Sequence, residues 1–118
     1  MSLDVVREKA LALADAILEL EEYKEFIETE QKLREDKEAQ QLLIEFQQKH
    51  QDFISKQLAG EFDQDLLNEL AEIQSKLSAM ESVTRFLDAY NRLLTILNEI
   101  IDLISHRINI DIGDIYRR

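Results

Sequence analysis

A chain of 118 residues with no proline and only two glycines, Gly60 and Gly113, has few ways to turn its backbone sharply. Hairpins and sandwiches depend on φ > 0 corners and on glycine or proline between strands. Their near absence excludes a β architecture and leaves helices, which need such residues only at their ends. Cysteine is absent as well. Disulfides, thiolate zinc sites, cysteine-held iron–sulfur clusters and a cysteine nucleophile are therefore excluded within this chain.

The apolar residues keep a helical period. Leu3, Val6, Ala10, Leu13, Ile17 and Leu20 step by three and four along one face of a first helix, capped or charged by Ser2 or Asp4. Tyr23, Phe26, Ile27 and Leu33 thread a sparser stripe through the charge-dense stretch from Glu21 to Glu38, a second short helix or a bent continuation of the first. Asp36 is the N-cap expected for a third helix along Ala39, Leu43, Phe46, His50 and Phe53, widened by Leu42, Ile54 and Leu58 and ended by Ala59-Gly60. Asp63 caps a fourth, with Leu66, Leu67, Leu70, Ile73, Leu77 and Met80 inside. Ser78 and Glu81 have the spacing of a capping box, which puts a boundary between Ser78 and Ser82.

The last helix has the strongest pattern. Val83, Phe86, Tyr90, Leu93, Leu97, Ile100 and Ile104 form one row, and Leu87, Leu94, Ile101 and Ile108 form a second that repeats every seven residues. From 82 to 108 it would be about 40 Å long. The expected architecture is a single all-α domain over 1–118, an antiparallel bundle of four to five helices around a long, central C-terminal helix. Ile108, Ile110 and Ile112 alternate with polar residues, so 109–118 is expected as an extended or flexible tail that docks on the bundle or a partner, ending in Arg117 and Arg118.

The net charge of −11 disfavours direct binding to nucleic acid or to an anionic membrane. No apolar run approaches the roughly 18 residues of a membrane span. The apolar Ala10–Leu18 stretch contains Asp15, lacks a basic lead and shows no clear cleavage site, so no signal peptide is expected and the cytoplasm is the expected location. Two isolated glycines cannot build a phosphate loop, and no serine sits in a nucleophile elbow. The sequence singles out no catalytic, cofactor-binding or metal residue. His50 lies on the third helix's seam and is expected half-buried between Phe46 and Phe53. His106 follows Asp102 by four but lacks the Glu-x-x-His spacing of di-iron bundles, so it reads as a helix-end histidine. Phe46, Phe53, Phe86 and Tyr90 read as core. Tyr23, Phe26 and Phe62 lie off the strongest stripes and are the aromatic candidates for partner contact. The row Leu87, Leu94, Ile101 and Ile108 is the candidate interface of a two-fold homodimer, with cover by the chain's own first helix as the alternative.

The order of blocks adds a resemblance. Leu20-Glu21-Glu22-Tyr23, then Leu33-Arg34-Glu35-Asp36-Lys37-Glu38-Ala39, then Leu42-Leu43-Ile44-Glu45-Phe46, and finally Val83-Thr84-Arg85-Phe86 opening a long helix, resemble the YlbF/YmcA family over residues 5 to 108. That family consists of small, acidic, all-helical bacterial proteins, sometimes called control-of-competence regulators. The resemblance implies a helical bundle that associates with itself or with relatives. It implies a non-enzymatic, cytosolic regulatory adaptor tied to competence, biofilm formation and sporulation, and to RNA processing through ribonuclease Y. The iron–sulfur clusters associated with its best-known complex are held through cysteines, so cluster binding does not carry over to this chain. A structural or chaperone-like assembly subunit is the alternative, resting on the sustained heptad spacing from Val83 to Ile104.

Overall fold

The computed structural model describes residues 2–113. Among these, five helices follow one another: α1 (Leu3–Leu18), α2 (Glu21–Glu35), α3 (Lys37–Leu58), α4 (Gln64–Ser78) and α5 (Glu81–Ile108), with no strand. The all-α class, the five helices and the long last one are as the periodicity predicts.

Local chemistry sets the boundaries. Asp36 caps α3, its Oδ1 accepting the Ala39 N–H at 3.1 Å, and Asp63 caps α4, accepting the Leu66 N–H at 3.0 Å. Gly60 ends α3 with φ +85°, and the N–H groups of Gly60 and Glu61 return to the carbonyls of Gln57 and Lys56, a Schellman closure. Asn109 does the same for α5, with φ 60° and the Ile110 N–H donating to the Ser105 carbonyl at 3.0 Å. The Ser105 hydroxyl then accepts the Ile112 N–H at 3.1 Å. The backbone at 109–113 thus closes on the last turn of α5, and the rest of the expected tail, with Arg117 and Arg118, lies outside the described residues.

At the start of α1, Ser2 stands at the N-cap without a side-chain capping bond, and Asp4 places its charge in the first turn. One cap assignment needs correction. Ser78 and Glu81 form no capping box: Ser78 is the last residue of α4 and Glu81 the first of α5. An N-cap serine must leave helical geometry, whereas Ser78 still belongs to α4, and the boundary falls between Ser78 and Ser82 as expected.

The chain divides into two compact units. Thr29–Leu87 forms one. Here α3 and α4 run antiparallel, with Lys49 bonded to Glu69 at 2.9 Å, Lys56 to Asp63 at 2.7 Å, and Phe53 edge-on to Phe62. Its core is Ala39, Ile73, Leu77 and Val83, with Leu33, Leu42, Phe46 and Met80 packed against them. Ala39 is fully buried, and its short side chain lets its neighbours approach closely. The Ser82 hydroxyl donates to Asp36 Oδ2 at 2.6 Å, tying the start of α5 to the start of α3. The other unit contains α1, the beginning of α2 and the chain from Asp88 onward. In it α2 and α5 touch through side chains: Phe26 packs on Tyr90 with ring centroids 6.0 Å apart, and both Glu25 carboxylate oxygens accept from Arg92 at 3.1 and 3.2 Å. Ala89 and Leu93 are buried there.

Candidate interaction surface

α5 turns its two rows to different surroundings. From the first, Val83 and Leu93 are buried, Phe86, Leu97 and Ile100 half-buried, and Tyr90 and Ile104 exposed. From the second, Leu87, Leu94 and Ile108 are 47%, 37% and 51% exposed, and Ile101 is half-buried. The seven-residue row therefore lies open on this chain along much of its length. Burying one such side chain fully is worth about 1.5–3 kcal/mol, so three exposed ones in line with a half-buried fourth form a surface with a drive to be covered.

α1 contributes a second open surface that its stripe does not foretell. It has no buried residue. Leu3, Val6 and Leu11 are 60%, 57% and 67% exposed, and Leu13 and Leu18 are exposed too. Leu11 and Leu18 lie off the predicted stripe, and their seven-residue spacing in the sequence is the signal that could have marked a second apolar row. In α1 Val5 and Ile17 are half-buried and the other apolar side chains are exposed.

The aromatic and histidine readings are corrected in part. Tyr90 is exposed, its ring lying against Phe26 at the surface, because Ala89 takes the inward position beside it. His50 is exposed and stacks on Phe46 at 5.9 Å, since α4 packs to one side of that seam. Tyr23 and Phe26 are half-buried; Phe62 is exposed against the edge of Phe53. His106 is exposed at the end of α5.

Among the described residues, four groups titrate away from their ordinary range, and each shift has a structural cause. Ser82's hydroxyl and Ala39's N–H lower the Asp36 carboxyl. Lys56 and the Leu66 N–H lower Asp63. Glu69 raises Lys49, and Asp63 raises Lys56. These are caps and cross-helix pairs. No group of three His, Cys, Asp or Glu among the described residues could hold a metal ion, and no helix among them is long and apolar enough to cross a membrane.

The comparisons bear on this surface. A comparison with curated proteins gave no match. The solved structure of Bacillus subtilis RicA in complex with RicF is similar, with a TM-score of 0.83 and 25% identity, covering 92% of this chain and 96% of that one. The family model described as "Control of competence regulator ComK, YlbF/YmcA" matches residues 6–109. An all-helical chain matched over nearly its whole length by that model belongs to the YlbF/YmcA family.

Proposed function

We propose that this chain is a non-enzymatic regulatory adaptor that works by docking on a relative of its own family. The observation that carries the reading is the row of Leu87, Leu94, Ile101 and Ile108 on α5, of which Leu87, Leu94 and Ile108 are exposed and Ile101 is half-buried. RicA was crystallised in complex with RicF, which supports a hetero-complex with a relative as the working state. The same row was expected to pair with a second copy; the neighbour's hetero-complex favours a relative. At the finer level, the complex acts in competence, biofilm formation and sporulation and engages ribonuclease Y in RNA processing.

The test is to mix the purified chain with each family relative encoded in its own genome and measure mass by light scattering after gel filtration. A stoichiometric complex with a relative is expected. A chain that stays alone beside every relative contradicts the adaptor reading. Adding ribonuclease Y to the complex tests the finer level: co-elution supports it, and separate elution at all concentrations removes it.

A further inference from the structure

We infer that the tip of the α3–α4 hairpin, around Phe62, is a docking surface for an arginine-bearing basic segment of a partner protein. The inference goes beyond the docking on α5. An adaptor joins two partners, and this second surface lies within the unit Thr29–Leu87.

The tip exposes apolar groups at a helix connection, where polar ones are usual. Leu58, the last residue of α3, is 85% exposed and Phe62 is 64% exposed. The connection between them is fixed at both ends, by the left-handed Gly60 that closes α3 and by Asp63 that caps α4. The Phe62 ring is held as well, standing at 77° to the ring of Phe53 with centroids 5.9 Å apart. An exposed aromatic that is already fixed loses little side-chain freedom on binding and suits the anchor of an interface.

The charge around that ring selects the occupant. From Gln51 to Asn68 the chain has four carboxylates, Asp52, Glu61, Asp63 and Asp65, and one basic residue, Lys56. Asp63 works inside the fold: one oxygen accepts from Lys56 at 2.7 Å and the other from the Leu66 N–H at 3.0 Å. Asp52 and Glu61 also attract Lys56, so the only basic group of the segment is engaged by its own chain. Glu61 and Asp65 are exposed, and they line one open hollow together with Phe62, Lys56, Asp63 and Gln64. Carboxylates beside an exposed ring are what a guanidinium binds: its N–H fork meets the oxygens and its plane stacks on the aromatic face. Lysine would bring the charge without the stacking. Nucleic acid, free phosphate and anionic membranes are repelled. A second copy is disfavoured too, because two such tips would set Glu61 and Asp65 against themselves in chains that each carry −11. The surface is far smaller than the roughly 1,200 Å² of a standard interface, so binding is weak and falls with added salt.

The probe is a short fluorescent peptide of alternating arginine and leucine, titrated against the full chain by anisotropy and located by amide NMR shifts. Shifts centred on 56–66 are expected. Glu61→Gln with Asp65→Asn is expected to weaken binding by about tenfold. Phe62→Leu keeps the charge and an apolar group but removes the ring, and is expected to weaken it by about threefold, as is replacing the peptide's arginines by lysine. Glu8→Gln with Asp15→Asn removes the same charge from α1 and should leave the affinity within about twofold. Equal loss in the two double variants overturns the inference, since net charge alone would then hold the peptide. Unchanged affinity in Phe62→Leu, or no binding up to millimolar peptide, overturns it as well. So does a free chain whose 56–66 signals move with its own concentration, which would put a second copy on the tip. Binding to a relative is measured on the Glu61→Gln, Asp65→Asn protein. Retention keeps the two surfaces separate; loss overturns the separate tip site and leaves the adaptor reading standing.

Discussion

Asp36 joins two helices through one carboxylate: Oδ1 takes the Ala39 N–H that α3 leaves open, and Oδ2 takes the Ser82 hydroxyl at the head of α5. Asp36→Ala removes both bonds and is expected to lower the melting temperature by about 4–8 °C, read by circular dichroism. Asp36→Asn keeps an acceptor for the cap and should fall between. The carboxyl titrates below its ordinary value of 3.8, so its folded form binds protons less readily than its unfolded form. That contribution to stability is therefore complete above 3.8 and lost as pH falls through the lower folded value. Asp63 behaves alike, through Lys56 and the Leu66 N–H. Acid titration of stability below pH 3.8 should be shallower in Asp36→Asn than in the wild type; equal slopes would show that the Ser82 and Ala39 bonds do not hold the charge.

At the scale of the element, α3 and α4 depend on a left-handed turn and on a few large side chains. A Cβ on Gly60 meets nothing within 4 Å, so Gly60→Ala acts through backbone strain alone and should cost about 1–2 kcal/mol in urea unfolding, with Gly60→Asn costing less. Leu77→Ala removes a buried side chain from the core of Ala39, Ile73 and Val83 and should cost about 2–5 kcal/mol. Leu11→Ser on exposed α1 should change the isolated chain by within about 0.5 kcal/mol, and a large loss would mean that α1 is packed in solution. The same contrast explains what the sequence could disclose. Asp36, Asp63 and Gly60 act on backbone groups within a few residues of themselves, and each was readable. The Ser78–Glu81 spacing misleads because one four-residue pattern fits both a capping box and two abutting helix ends. A stripe on α1 states which face is apolar and is silent on what covers it, so its exposure was not legible. Tyr90 and Ala89 are adjacent in the sequence, and only packing decides which of them turns inward.

At the scale of the whole molecule, the open apolar positions on α5 belong to a chain of the YlbF/YmcA family whose solved neighbour was crystallised with a partner. The row Leu87, Leu94, Ile101 and Ile108 was legible as a seven-residue repeat, and it is the surface on which the adaptor reading stands. A double charge reversal on this row addresses that reading most directly. Leu94→Glu with Ile101→Glu is purified and its helicity measured by circular dichroism. It is then mixed with the relative that the wild type binds and examined by sedimentation velocity. The prediction is a folded, helical chain that no longer forms the complex, with affinity down by about a hundredfold or more, since two apolar anchors become charges facing an apolar partner. Wild-type affinity in the folded double variant, or loss of helical structure before any partner is added, would contradict the account by showing that the row is not the docking surface or is part of the chain's own core.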